Sequence, residues 1–134
     1  MVVDDDAENC RALSELLTVE GWEVLSFQSG EAAWSALRDS DPKPDAVVAD
    51  VRMPGLDGVG LLRRIKSSFA AIPVILVSAF PDDVVWTESL QAGALDVFPK
   101  PIQGPSLVRT LLELETGEAT RGSGRPIGET PNPR

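Results

Sequence analysis

Five side chains could do chemistry together: Asp4, Asp5, Asp50, Ser78 and Lys100. Three carboxylates at one spot repel one another and resist ionisation unless a cation joins them. With oxygen donors alone, and no histidine or paired thiolates, the set selects a hard cation, and Mg2+ fits because it takes a few carboxylates and keeps its waters. Mg2+ in turn neutralises a phosphoryl group, which a carboxylate can attack to form an aspartyl phosphate. Lys100 would pair with a phosphoryl oxygen as a point charge, and Ser78 would donate a hydrogen bond to another. Metal, lysine and nucleophile are the parts that phosphoryl transfer needs, since its catalysis is mostly positioning and charge neutralisation. Read singly, each part has a plainer explanation. Acids after a strand complement a helix dipole, a lone Asp50 caps a turn, and Ser78 or a Lys-Pro pair alone says little.

The group gains force only if the fold brings it together. Short apolar runs alternate with helical patterns, as in βαβ units with a parallel sheet. The runs Met1–Val3, Glu23–Phe27, Ala46–Ala49, Val74–Ser78 and Asp96–Phe98 read as strands, the middle ones apolar enough to be buried on both faces. Between and after them, Glu8–Val19, Ser29–Asp39, Asp57–Ser67, Asp82–Ala92 and Pro105–Glu115 carry apolar residues at helical spacing. Ser29 reads as an N-cap with Glu31 in the first turn, Gly93 as a C-cap, and Pro105 as a first helical residue. In an open sheet of this kind ligands bind beyond the carboxyl ends of the strands. Asp4, Asp5 and Asp6 follow the first strand, Asp50 the third and Lys100 the fifth, while Ser78 ends the fourth. The second strand contributes no comparable group.

Composition sets the outer limits. The 134 residues suit one domain. Absence of histidine excludes a Ser-His-Asp triad and a histidine base or zinc ligand, and the single Cys10 cannot form an internal disulfide and reads as a free thiol. The net charge of −9 argues against direct nucleic-acid contact by this unit. No apolar run reaches membrane-spanning length, and no secretory signal begins the chain, so a cytoplasmic protein is expected. Residues 118–134, with three Gly and three Pro, read as a flexible tail or truncated interdomain linker.

Four motifs now carry a resemblance. Val2-Val3-Asp4-Asp5-Asp6, Ala49-Asp50-Val51-Arg52-Met53-Pro54-Gly55-Leu56-Asp57-Gly58, Val77-Ser78-Ala79 and Pro99-Lys100-Pro101 resemble those of the response-regulator receiver domain of two-component signalling. The spacing agrees: 45 residues from Asp5 to Asp50, 28 to Ser78 and 22 to Lys100. The likeness covers residues 1–117 and is greatest to nitrogen-fixation-type receivers that precede a helix-turn-helix output domain. It implies a flavodoxin-like, doubly wound α/β fold, five parallel strands in the order 2-1-3-4-5 with five helices; this order is also the standing example for the chemotaxis receiver.

By the same resemblance, Asp50 accepts phosphate from a sensor histidine kinase. Asp4, Asp5, Asp50 and the Arg52 backbone carbonyl hold Mg2+, and Ser78 and Lys100 bind the phosphoryl group. The Lys100–Pro101 bond is cis. Asp6 takes no role from the resemblance and reads simply as a cap of the first helix. The face formed by the fourth helix, fifth strand and fifth helix, with Trp86 on or near it, is the readout for an output domain or downstream protein. A phosphorylation-dependent homodimer is a further partner the resemblance admits. The family's Tyr or Phe in the fifth strand is replaced by Val97, so switching is expected to run through Ser78 and the loop Ala79–Asp83. Trp22 and Trp34 read as packing residues. Signalling, with only self-phosphorylation and slow autodephosphorylation, is not the work of an enzyme proper. Two alternatives stand beside it: a phosphorylation-independent receiver-like binding module, and a haloacid-dehalogenase-like phosphatase, which would need an Asp where Arg52 stands.

Overall fold

The computed structural model describes residues 1–80 and 82–116. Its elements alternate: β1 (Val2–Val3), α1 (Ala7–Val19), β2 (Ser26–Phe27), α2 (Gly30–Asp39), β3 (Val47–Asp50), α3 (Gly58–Ser68), β4 (Val74–Ser78), α4 (Asp83–Gln91), β5 (Asp96–Pro99) and α5 (Gly104–Thr116). The five strands form one parallel sheet in the order β2-β1-β3-β4-β5, as expected. The expected tail 118–134 lies outside the described residues. Among those described, no helix is long and apolar enough to cross a membrane.

Strand alternation splits the core into two layers. Val3, Ala49, Leu76 and Val97 face one side, where Leu37 of α2 and Leu62 of α3 cover them. Val2, Val48, Val77 and Phe98 face the other, under Leu17 of α1 and Leu107 of α5. β3 and β4 are buried along their whole length, which explains their unbroken apolar runs.

Helix starts follow side-chain capping. The carboxylate of Asp6 accepts from the amides of Glu8 and Asn9, Ser29 Oγ from Ala32, Asp57 from Gly60 and Asp82 from Val85. Gly93 follows the last turn of α4 with φ +108°, the left-handed position that suits glycine.

Several boundaries differ from the sequence expectation. β2 covers only Ser26–Phe27, because it pairs with the two residues of β1 alone. β3 begins at Val47 and takes in Asp50, which pairs with Val77, so the acid ends the strand rather than following it. β5 extends to Pro99 opposite Ser78. α5 begins at Gly104, one residue before Pro105, with the Gln103 carbonyl accepting from the amides of Ser106 and Leu107.

Candidate functional site

The sheet order places β1 beside β3, β3 beside β4 and β4 beside β5, so their carboxyl ends form one edge. Three of the five chemistry-bearing residues are in direct contact there, and a fourth, Asp5, lies close by. Lys100 Nζ lies 3.0 Å from Asp50 Oδ2 and 3.2 Å from Asp4 Oδ2, an ion pair shared between two buried carboxylates. Carboxylate oxygens of Asp4, Asp5 and Asp50 all lie within 4.8 Å of one another. Asp4 and Asp50 are buried, while Asp5 is exposed.

Local bonds aim these groups. Asp4 Oδ1 accepts from the amide of Asp6 at 2.9 Å, leaving Oδ2 to Lys100. Asp50 Oδ2 takes Lys100, and Oδ1 meets the amide of Arg52 at 3.5 Å, a long contact that leaves this oxygen the less engaged of the two. Lys100 is fixed from behind, since its amide donates to the Ser78 carbonyl at 2.9 Å. The Lys100–Pro101 peptide is cis, as the family resemblance implies, and Asp41–Pro42 is cis as well. At the start of α3, a Cβ on Gly58 would overlap the Asp50 carbonyl oxygen, so only glycine lets that helix begin so close to the acid.

Ser78 lies at the same edge, fully buried, one residue beyond the Val77 that pairs with Asp50. Its Oγ accepts from the amide of Phe80 at 3.1 Å, which leaves its own O–H to donate. Arg52 sits two residues past Asp50 in the loop that leads to α3.

Electrostatics match the geometry. Burial pushes the Asp50 carboxyl above the ordinary carboxylate range; the Lys100 hydrogen bond opposes this and the nearby Asp4 charge adds to it. Burial would lower the Lys100 ammonium, but Asp50 and then Asp4 outweigh it and hold the group above its usual value. Three close carboxylates with oxygen donors only, two of them buried, fit a Mg2+ ion, with the Arg52 carbonyl as the further ligand the resemblance implies.

Other sequence expectations also meet the structure here. Val97 is buried in the α2–α3 layer and Phe98 faces the opposite layer, as expected for neighbours on a strand. Trp86 is 43% exposed on α4 rather than buried in the core. Trp22 is half-buried, and its indole N–H donates to Glu115 at 2.8 Å. Trp34 packs against Phe69 with ring centroids 5.8 Å apart. Cys10 is a buried free thiol, pushed up by burial. Sequence reasoning left Glu31 as a dipole-complementing acid, whereas its carboxylate accepts from the amide of Leu56, across the fold. No local signal could have revealed a partner 25 residues away.

Comparison with known proteins points the same way. The family model described as the response regulator receiver domain matches residues 1–112. The transcriptional regulatory protein ZraR of Salmonella typhimurium is 39% identical over 111 residues, 83% of this chain and 25% of ZraR. The DNA-binding transcriptional regulator NtrC of Klebsiella pneumoniae is 38% identical over 100 residues, 75% of this chain and 21% of NtrC. The chain thus spans about a quarter or less of the length of these curated relatives. Among solved structures, the BeF3-activated receiver domain of DrrB, from Thermotoga maritima, superposes with a TM-score of 0.77 at 30% identity, covering 86% of this chain and 94% of that one.

Proposed function

The chain belongs to the response regulator receiver family of two-component signalling, and from that premise we propose that Asp50 is its phosphoryl acceptor, loaded by a sensor histidine kinase with Mg2+ in the carboxylate cluster. The observation that carries this reading is Lys100 Nζ held between Asp50 and Asp4 at 3.0 and 3.2 Å, with Asp5 completing the acidic group. In the transfer, a carboxylate oxygen of Asp50 attacks the phosphorus of a phosphohistidine. The new O–P bond forms as the N–P bond breaks, and the imidazole leaves with that electron pair and takes up a proton. The less engaged Oδ1 is the better-placed oxygen for the attack.

Asp4, Asp5, Asp50 and the Arg52 carbonyl would hold the metal, which when bound supplies neutralising charge to phosphoryl oxygens. Lys100 is then drawn from Asp50 toward the added charge of about −1.5 to −2. Ser78 donates its O–H to a phosphoryl oxygen, and its bond to the Phe80 amide passes that movement into the loop before α4. The outcome is a population shift of that loop and of the face formed by α4, β5 and α5. Autodephosphorylation is slow and the domain is not an enzyme in the ordinary sense.

The relatives extend the reading. ZraR and NtrC are transcriptional regulators far longer than this chain, which supports an output domain as the partner of the receiver, in the cytoplasm. The exposed Trp86 supports α4 as part of the docking face. The phosphatase alternative finds no support, since Arg52 stands where its acid would be.

Intact mass after incubation with acetyl phosphate tests the reading, with and without Mg2+ and beside Asp50→Ala. One phosphoryl adduct that requires Mg2+ and disappears in the variant is expected. An adduct that survives Asp50→Ala would assign the acceptor elsewhere, and no adduct on folded wild type would favour the phosphorylation-independent binding module.

A further inference from the structure

The loop from Val51 to Asp57 carries Arg52, whose carbonyl is the further Mg2+ ligand of the proposed site. Near the acid the Val51 amide donates to the Val77 carbonyl at 2.8 Å, a sheet-type bond, and the Gly58 amide at the start of α3 donates to the Val51 carbonyl at 2.9 Å, closing the loop at its base. A further hold, on the stretch between these two bonds, comes from another element. Glu31, in the first turn of α2, accepts the amide of Leu56 on Oε2 at 2.8 Å.

Two glycines make this approach sterically open. A Cβ on Gly30 would overlap the Leu56 carbonyl oxygen, and a Cβ on Gly55, whose φ is +73°, would overlap the Glu31 carboxylate. The bond and the two close approaches are separate observations of one seam between the start of α2 and the loop. That bond is also the largest influence holding the Glu31 carboxyl below the ordinary range.

We infer that Glu31 is a positioning residue for metal binding: by accepting the Leu56 amide it pins the loop that offers the Arg52 carbonyl. This rests on the reading of Asp4, Asp5, Asp50 and Arg52 as the Mg2+ site. It also gives the second βα unit, which supplies no ligand, a part in the site. Glu31 touches neither metal nor phosphate; it acts through the backbone of Met53, Pro54 and Gly55, which separate Leu56 from Arg52. The role needs an acceptor oxygen and no negative charge, so glutamine can fill it while alanine cannot.

A MgCl2 titration followed by NMR on 15N-labelled protein tests this, with thermal unfolding of each variant in parallel. Glu31→Ala is expected to weaken Mg2+ binding roughly tenfold, as loss of a group orienting a metal ligand does, while Glu31→Gln stays within about twofold of wild type. Ser29→Ala is the control. It removes the N-cap bond to Ala32 at the same helix end without touching the Leu56 amide, and is expected to lower Tm with Mg2+ affinity unchanged. Unchanged affinity in Glu31→Ala, or an equal loss in Ser29→Ala, would overturn the inference and reduce the seam to scaffolding. A wild type that binds no Mg2+ would instead sink the site reading itself, together with the Mg2+-dependent adduct above.

Discussion

At the edge formed by β1, β3 and β5, Lys100 binds both Asp4 and Asp50, and a backbone amide meets each of the two acids. α4, a short distance along the same sheet, contrasts with this. Of its nine residues only Ser89 is buried, against five of eleven in α3. The Ser89 hydroxyl is the one buried side-chain polar atom among the described residues that has no hydrogen-bond partner. Val84 and Trp86 stand exposed on the helix, and Phe80 on the loop before it. Burial of apolar surface is what fixes a helix to a sheet, so α3 is firmly seated and α4 weakly so. The lesson is a division of labour around one sheet: the proposed site is cross-bonded, and the helix proposed to shift has little burial to lose.

The harshest way to break this contrast is to remove the cation at the tight edge. Lys100→Ala leaves Asp4 and Asp50 facing each other with no counter-charge. Phosphorylation by acetyl phosphate should fall by roughly two orders of magnitude, the scale of losing one charge-stabilising donor. The Mg2+-free protein should also lose about 1–2 kcal/mol of stability, below the cost for a fully buried pair because the lysine side chain keeps 21% of its exposure. Added Mg2+ should restore most of that stability and little of the rate. Urea unfolding with and without MgCl2 separates the two effects.

A milder change sharpens the contrast from the loose side. Ser89→Ala removes a hydroxyl that burial leaves unsatisfied, and should stabilise the protein by about 1 kcal/mol. Because the gain seats α4 more firmly, the phosphorylated form should bind the proposed output partner less well, while Mg2+ affinity stays constant. A destabilised Ser89→Ala would mean that the hydroxyl has a partner in solution.

The smallest effect concerns pH at the α2 seam. The Glu31 carboxyl is held below its ordinary value, so its contribution to stability is present above about pH 4.5 and is lost as pH falls through its lowered value. The Tm advantage of wild type over Glu31→Gln should therefore shrink as pH falls below about 4.5. Glu31 is exposed, so the change is small, and high salt should reduce it further. A gap that widens on acidification would reverse the assigned sign.

These two regions were unequally readable from the sequence. The strand-end acids and Lys100 were visible because a parallel sheet collects whatever follows its strands, and the fully buried β3 and β4 announce themselves as apolar runs. Asp6, Ser29, Asp57 and Asp82 marked helix starts through local bonding, so four helix beginnings fell within a residue or two of their observed positions. Tertiary facts were hidden. The two-residue length of β2 depends on what β1 offers it, and the Glu31–Leu56 bond joins residues with no shared periodicity. The loose seating of α4 was likewise invisible, because its sequence, Asp83–Gln91, looks ordinary until burial shows Ser89 beneath it.

Hydrogen–deuterium exchange of the wild type with Mg2+, before and after addition of beryllofluoride, tests the division of labour most directly. α4 and the Phe80 segment should exchange faster than α3 beforehand and should carry the largest change on addition, while β3 and α3 remain protected throughout. An α4 as slow to exchange as α3 and unaltered by beryllofluoride, with the change centred on β5 near Val97 instead, would contradict it.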